Sequence, residues 1–259
     1  MSVELAPQHK AGLALDHPWL LANCTAELLA LHARSLLGAV VAPELGGRQR
    51  RRRWIGERPG GLLVEEGPGA FSWSGLRQLL QTASGLPVLG RVAARAPQGA
   101  ARMAARLQDE GVQGLQVDLL PGDTDLAEEA LGAIRRACDL PLLVQVPLFE
   151  AVAYVQVSQA AGADALVVAG PPLGLAVSGE AEAPCTVEVH GPLLHPLFLL
   201  AVGQVAQAVS LPIVARGGLL SAADARAFLA QGAVAIMADS LAFVDPAAVA
   251  ALGRELVQT

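Results

Sequence analysis

The feature of this sequence that most constrains its fold is a repeated pattern, in which a short apolar run ends at small or polar residues and a helical segment follows. The run Leu211–Arg216 shows the pattern clearly, because it stops at Gly217 and Gly218 and the helical segment Ala222–Gln231 comes next. Ser221 precedes that segment, and its hydroxyl can accept a hydrogen bond from the unpaired first N–H groups of a helix. The stretch predicts a buried strand followed by a capped helix.

A second unit of the same kind follows directly. The apolar strand Val234–Ala238 ends at Asp239 and Ser240. Two apolar strands that each end where a helix begins indicate neighbouring βα units of a parallel sheet. The backbone N–H groups of Gly217 and Gly218 suit an anion such as phosphate, because they lie close to a helix N-terminus. A glycine turn that only links strand to helix is the alternative interpretation.

Eight such strands are found along the chain, and together they predict a single (β/α)₈ barrel over residues 1–259. The predicted strands are Trp19–Ala22, Ala39–Ala42, Pro87–Val92, Gly114–Leu119, Pro141–Val146, Ala165–Ala169, Leu211–Arg216 and Val234–Ala238. Further predicted helices are Ala26–Leu37, Gly75–Ala83, Gln98–Glu110 and Pro196–Val209. The chain length of 259 residues suits this fold, which typically takes about 250. The segments Val3–Leu5 and Gly12–Leu15 predict a short hairpin before the barrel.

The composition sets the class of protein. Hydrophobic residues make up 53% and aromatic residues only 3%, so the core must be built mainly from Ala, Leu and Val. No uncharged apolar run reaches about 18 residues, and the N-terminus lacks the apolar core of a signal peptide. Cys24, Cys138 and Cys185 form neither a disulfide framework nor a metal-binding spacing. We therefore expect a soluble cytoplasmic protein without a metal, and the net charge of −6 argues against general nucleic-acid binding.

Three segments near the C-terminus resemble the dihydroorotate dehydrogenases, in particular the soluble class 1 enzymes. Those enzymes carry an SGPxxxP segment, a strand that ends in GG and a GTAxFxxP segment. The counterparts here are His190–Pro192 with Pro196, then Gly217 and Gly218, then Asp239–Leu241 with Phe243 and Pro246. The resemblance implies a barrel that binds FMN and oxidises dihydroorotate to orotate, a reaction of pyrimidine biosynthesis.

The resemblance also implies where ligands bind. The flavin ring lies over the end of the first barrel strand in that family, and the phosphate lies at the turns after the last two strands. The implied cofactor-binding residues are Ala22, Asn23, Gly191, Arg216, Gly217, Gly218, Asp239 and Ser240. Ser72 stands where the family has an asparagine that holds the substrate.

The side chains that carry the family's redox chemistry are changed, which marks a divergent member. After the fourth strand the family has a cysteine base, but the matching run here, Asp118–Gly122, contains neither cysteine nor serine. Asp118 could replace this base, because burial can raise the pKa of a carboxylate, or it could simply pair with an arginine. Gln145 replaces a lysine that stabilises negative charge on the reduced flavin, and a glutamine cannot offset a charge. The chain has one lysine, Lys10.

Arg216 allows two opposite interpretations. In the first, its positive charge helps to hold a phosphate beside Gly217 and Gly218. In the second, Arg216 pairs with Asp239, and Arg91 pairs with Asp118, so that internal ion pairs fill the barrel mouth. We favour the second, because it leaves none of these four half-buried charges unpaired.

Two loops are expected to form the open face of the barrel. The first contains Arg48, the run Arg50–Arg53 and Trp54, and it is either a solvated loop or a site for an acidic partner or nucleic acid. The second runs from Gly170 to His190, and its Cys185 and His190 are candidates for a displaced thiol–imidazole pair.

Three hypotheses for function follow. The chain is a flavin oxidoreductase of the dihydroorotate dehydrogenase type, or a catalytically inactive barrel that binds or regulates a partner, or a non-redox enzyme for a phosphorylated small molecule. We expect a small-molecule ligand at the C-terminal face of the barrel and very slow or no oxidation of dihydroorotate. A homodimer and a partner subunit both remain open.

Overall fold

A computed structural model describes residues 2–32, 34–46, 55–58, 60–65, 71–177, 184–239 and 245–257 of the chain. The strands within these residues are β1 (Val3–Glu4), β2 (Ala14–Leu15), β3 (Trp19–Leu21), β4 (Ala39–Val41), β5 (Ile55–Arg58), β6 (Gly61–Glu65), β7 (Val88–Ala93), β8 (Gly114–Asp118), β9 (Leu142–Pro147), β10 (Ala165–Gly170), β11 (Leu173–Val177), β12 (Pro184–His190), β13 (Ile213–Arg216) and β14 (Ala235–Ala238). The helices are α1 (Ala26–Ala30), α2 (Trp73–Thr82), α3 (Pro97–Asp109), α4 (Thr124–Ala137), α5 (Ala151–Ala160), α6 (His195–Ala208), α7 (Ala222–Ala230) and α8 (Pro246–Val257).

Eight parallel strands close into a barrel in the order β3, β4, β7, β8, β9, β10, β13 and β14, and β14 pairs with β3 to complete the ring. The predicted (β/α)₈ barrel is therefore confirmed, and each predicted strand begins and ends within two residues of the observed one. The predicted hairpin is confirmed as the antiparallel pair β1–β2. Ser221 caps α7, since its hydroxyl accepts a hydrogen bond from the Asp224 N–H.

Apolar side chains form two layers, one inside the barrel and one between the strands and the helices. The inner layer includes Leu20, Leu143 and Met237, and Leu5 and Leu13 of the hairpin segment pack against it. Leu13 lies beside Gly114, the first residue of β8, because a Cβ added at Gly114 would stand 3.6 Å from its side chain. The hairpin therefore closes the end of the barrel where the strands begin.

The first helix is shorter than predicted. We expected one helix over Ala26–Leu37, but α1 ends at Ala30 and a separate 3-10 turn covers Arg34–Leu36. The N–H groups of Leu31 and His32 already bond to the carbonyls three residues earlier, which tightens the last turn. Local propensity did not show where this helix stops.

The segment Gly170–His190 was predicted to be a loop, and this prediction is wrong. It contains β11 and β12, which join β6 and β5 in a four-stranded antiparallel sheet of order β11-β12-β6-β5. The other two strands of this sheet, β5 and β6, are formed by Ile55–Arg58 and Gly61–Glu65. The predicted arginine-rich loop, Arg48–Trp54, lies outside the described residues. Within the described residues, none of the helices is both long and apolar enough to span a membrane.

Candidate functional site

The register of the barrel strands places polar side chains at the mouth. Four apolar residues of the inner layer are each followed two positions later by a polar one: Leu89 by Arg91, Leu143 by Gln145, Val214 by Arg216 and Met237 by Asp239. Residues two apart in a strand point to the same side, so these polar side chains also face the barrel interior. They form its uppermost layer, at the C-terminal ends of the strands.

One half of this layer is centred on Arg91. Its Nε donates to the Asp118 Oδ2, and its Nη1 donates to the Asn23 Oδ1 over 2.7 Å. Gln116 Nε2 donates to the other Asp118 oxygen over 2.7 Å. Burial works against the charge of Arg91, but Asp118, Glu188 and Glu44 raise its pKa above the ordinary value. The predicted Arg91–Asp118 pair is confirmed.

The other half is centred on Arg216, which is 1% exposed. Its Nε donates to the Asp239 Oδ2 over 3.1 Å, and its Nη1 donates to the Gln145 Oε1. Gln116 Nε2 also lies 3.3 Å from Gln145 Oε1, which joins the two halves. The predicted Arg216–Asp239 pair is therefore confirmed, and the positive charge of Arg216 is paired with a carboxylate of the same chain.

Two residues of β12 extend this network to the antiparallel sheet. His190 lies 3.3 Å from Glu188 through Nε2 and 3.6 Å from Asp239 through Nδ1. Burial lowers the pKa of His190, but hydrogen bonds to Asp239 and Glu188 raise it to about 9. Burial likewise opposes the charge of Glu188, yet His190 and Arg91 lower its pKa to about 2. Both side chains are therefore charged at neutral pH and attach the sheet to the barrel mouth. We call Arg91, Gln116, Asp118, Gln145, Glu188, His190, Arg216 and Asp239 the mouth network.

A cavity of about 220 Å³ lies beside this network. Arg91, Asp118 and Gln145 form its barrel side, and Glu188 belongs to the sheet above it. Apolar side chains, including those of Phe149 and Leu173, complete its wall. The cavity therefore combines charged hydrogen-bonding groups of both signs with apolar surface, as small-molecule sites do.

The remaining residues predicted for the site occupy several places. The Ala22 N–H donates to the Ala238 carbonyl over 2.8 Å as part of the barrel. Ser72 caps α2, since its hydroxyl accepts from the Gly75 N–H over 3.1 Å, and its substrate role stays a prediction. Gly191 packs closely on Gly60, because a Cβ added at Gly191 would lie 2.3 Å from the Gly60 oxygen. Ser240 lies outside the described residues.

The glycine pair has the backbone geometry that its turn requires. Gly217 and Gly218 have φ of +98° and +68°, values that favour glycine. The space beside them is filled by the start of α6. A Cβ added at Gly217 would lie 2.7 Å from the Phe198 ring, and one added at Gly218 would lie 2.6 Å from the His195 Cα.

The proposed thiol–imidazole pair does not form. Cys185 and His190 lie five residues apart in β12, so their side chains point to opposite faces at a separation of about 17 Å along the strand. Burial raises the pKa of the Cys24 thiol to about 12, which favours its protonated form.

Sequence reasoning missed two members of the network. Gln116 is a polar residue inside an apolar strand, two positions before Asp118, and this spacing could have indicated that both face inward. Glu188 stands two positions before His190, but its segment was not predicted to be a strand. Its approach to Arg91 depends on pairing with β6, which no local pattern shows.

Comparison with known proteins finds one family model and several enzyme subunits that are similar to this chain. Residues 134–246 match the family model described as nitronate monooxygenase. The catalytic subunit of dihydroorotate dehydrogenase B (NAD(+)) from Pelobacter propionicus is 29% identical over 255 aligned residues, which cover 85% of this chain and 81% of that protein. The proteins of the same name from Citrifermentans bemidjiense and Alkaliphilus oremlandii are 27% and 26% identical over 252 and 253 residues. The resemblance to the dihydroorotate dehydrogenases predicted from the sequence is confirmed over most of the chain.

The described residues at the mouth do not fit the flavin ring that this resemblance implies. The ring would lie over the end of β3, where the Arg91 guanidinium instead reaches Asn23. At the position of the family's lysine, Gln145 is engaged by Arg216 and Gln116. The remaining cavity of about 220 Å³ is smaller than the roughly 300–1,000 Å³ of typical ligand sites. Side chains of the mouth network therefore take up the positions that the resemblance assigns to the ring.

Proposed function

We propose that this chain is a divergent barrel of the dihydroorotate dehydrogenase type that binds a small polar molecule at its mouth. Its oxidation of dihydroorotate is very slow or absent. The observation that carries the proposal is the mouth network, which crosses the positions that the resemblance assigns to the flavin ring and to its charge-stabilising lysine.

The position of the base supports this proposal. Removing the C5 proton of dihydroorotate needs a side chain that can accept it, and such assistance typically contributes 10²–10⁴-fold to the rate. Both oxygens of Asp118 already accept hydrogen bonds, one from Arg91 and one from Gln116. Asp118 would have to give up a contact to a buried guanidinium before it took a proton, so it is a poor base in this arrangement.

The cavity indicates the kind of ligand. Two arginines, Arg91 and Arg95, and four acidic residues line it together, namely Glu44, Asp118, Glu150 and Glu188. Such a mixed lining suits a small molecule with both acceptor and donor groups, and the volume of about 220 Å³ favours a metabolite smaller than a flavin nucleotide.

A flavin oxidoreductase is the second candidate. The observation that favours it is the similarity to catalytic subunits of dihydroorotate dehydrogenase B, which extends over 85% of this chain. The FMN site would then require the Arg91 and Arg216 side chains to move away from their present partners.

Purification without added cofactor, followed by a flavin absorbance scan and FMN titration, separates the two candidates. We expect no stoichiometric flavin and no dihydroorotate oxidation above about 10⁻² of an active relative's rate, because loss of one electrostatic group alone commonly costs about 10²–10³-fold. Asp118→Ala should then change nothing measurable in turnover. Stoichiometric FMN with robust turnover would overturn the proposal, and turnover that vanishes in Asp118→Ala would identify Asp118 as the base.

A further inference from the structure

The charged side chains of the mouth network balance one another. Three of its members are basic, three are acidic, and the other two are glutamines. Each of the six charged members forms an ion pair with another member. The network therefore gives the neighbouring cavity no net charge. The basic members are Arg91, His190 and Arg216, and the acidic members are Asp118, Glu188 and Asp239.

Three further charged residues line the cavity outside the network. Glu44 and Arg95 contribute one charge of each sign, so their sum is zero. The third residue, Glu150, adds one negative charge. Within the described part of the chain, no basic side chain forms an ion pair with Glu150. The cavity and its network therefore hold one negative charge in excess, and Glu150 is the residue that carries it.

Glu150 is held in place by the loop that follows β8. Its Oε2 accepts a hydrogen bond from the Gly122 N–H over 2.9 Å. Tyr154, one turn further along the chain, holds the same loop, since its hydroxyl donates to the Leu120 carbonyl over 2.7 Å and accepts from the Asp123 N–H over 2.9 Å. The Glu150 side chain does not cap α5, although the residue stands at the N-cap position. Its carboxylate is therefore directed by the loop, at the wall of the cavity.

The wall around Glu150 is apolar. Pro147–Phe149 precede it in the chain and line the cavity, and Leu119–Pro121 and Pro171–Leu173 line it as well. Phe149 is 74% exposed, so its ring is open to contact. An aromatic face attracts a cation, and apolar surface favours a hydrocarbon group. This part of the cavity thus combines one carboxylate with surface that suits the body of an organic molecule.

We propose that the cavity takes a small organic amine, a molecule with one positive charge and an apolar body. The inference rests on the proposed function and adds the charge of the ligand. The ammonium group pairs with Glu150, and the body lies against the apolar wall. One positive charge makes the cavity neutral, whereas a carboxylate such as dihydroorotate adds a second uncompensated negative charge. Because a charge that leaves water needs an opposite charge in its place, the cavity discriminates between ligands by sign.

Benzylamine, benzyl alcohol and benzoate test the proposal, because they share one apolar body and differ in charge. An NMR titration of the full chain at neutral pH, followed through its backbone amide signals, gives the three dissociation constants. We expect benzylamine to bind about 10-fold or more tightly than benzyl alcohol, and benzoate to bind no more tightly than the alcohol. Added salt should reduce the preference for the amine, since mobile ions screen the pair. The Gly122 amide, which donates to Glu150, should shift on binding.

Glu150→Gln isolates the charge, because a glutamine keeps an oxygen that can accept from the Gly122 N–H. This variant should bind benzylamine about as weakly as benzyl alcohol, with the affinity for the alcohol unchanged. Glu150→Asp should keep a preference for the amine. Glu129→Gln is the matched control, since it removes the same charge from an exposed position of α4 outside the cavity lining and should behave as the wild type. Thermal melting checks that all variants are folded.

The possible results separate this inference from the proposed function. Equal affinity for the three compounds, or tightest binding of benzoate, would overturn the inference and leave a small-molecule site at the mouth. A preference for benzylamine that persists in Glu150→Gln would also overturn it, because another group would then supply the charge. If none of the three compounds binds, the inference fails together with the proposed small-molecule site.

Discussion

The two ends of the barrel interior are built from the same alternating positions of the same strands, yet their chemistry is opposite. Where the strands begin, the interior is apolar, and Leu20, Leu143 and the hairpin residue Leu5 are fully buried. Two residues further along, the inward positions of β9 and β13 carry Gln145 and Arg216. The change from apolar to polar side chains takes place over two residues of the same strand, so the backbone geometry does not require it.

This difference indicates which end serves the fold and which serves function. Apolar burial stabilises the lower end directly, at about 25 cal/mol for each Å² removed from water. At the mouth, the cost of removing ions from water is large, and apolar residues of similar volume often stabilise a protein as well or better. The mouth network is therefore poorly explained by stability, which supports the proposed site for a small polar molecule.

The largest effect is expected from breaking one buried ion pair. Arg216→Ala leaves Asp239, which is 6% exposed, without its guanidinium, and should reduce the free energy of unfolding by roughly 3–5 kcal/mol. The double replacement Arg216→Met with Asp239→Leu should recover most of that loss, because no charge is then left unpaired. Urea denaturation measures both variants.

Leu143→Ala at the apolar end is the matched control, with an expected loss of roughly 2–5 kcal/mol. No second substitution that removes a charge should recover that stability, because Leu143→Ala removes apolar contacts and not a charge pair. If Arg216→Ala costs less than about 1 kcal/mol, the mouth does not depend on paired charges, and the contrast between the two ends fails.

The barrel and both ion pairs could be predicted from the sequence, for one physical reason. Strand period and strand order follow from local apolar patterns, and neighbouring strand ends bring Arg91 to Asp118 and Arg216 to Asp239. The antiparallel sheet was not predictable in this way. Its strand β12 pairs with β6, which lies more than a hundred residues earlier in the chain, and Gly- and Pro-rich flanks indicate loops. The approach of Glu188 and His190 to the mouth depended on that pairing.

A smaller effect is expected from pH, through the contact between sheet and barrel. The pKa of His190 is raised to about 9 in the folded protein, against about 6.5 in an unfolded chain. Its contribution is therefore fully present below pH 6.5 and is lost as the pH rises to about 9. This change should lower the free energy of unfolding by about 2–3 kcal/mol in the wild type.

His190→Gln is the variant that checks this prediction. Its stability should change much less between pH 6.5 and 9, because the imidazole is gone. The other charged groups that face His190 are Glu188, Asp239, Arg91 and Arg216. Glu188 affects the free energy of unfolding on the acidic side. Its pKa is lowered to about 2 in the folded protein, so its contribution is lost as the pH falls below about 4.3. A wild type and a His190→Gln variant with the same alkaline slope would show that His190 does not attach the sheet.

The smallest effect is expected at the residue that joins the two halves of the mouth network. Gln116 Nε2 donates to Asp118 and lies 3.3 Å from Gln145, while its Oε1 is buried without a partner in the described part of the chain. Gln116→Leu removes one hydrogen bond to the Asp118 carboxylate, which still accepts a hydrogen bond from Arg91. The substitution also removes the unsatisfied Gln116 oxygen. These terms oppose one another, so we expect a net loss of only about 1 kcal/mol.

The more informative measurement is a double-mutant cycle of Arg91→Met and Arg216→Met. The coupling energy between the two substitutions should exceed about 0.5 kcal/mol with Gln116 present. It should disappear when the cycle is repeated in the Gln116→Leu background. Coupling that survives Gln116→Leu would mean that the two halves communicate through Glu188 and His190, so that the network closes through the sheet and not across the barrel.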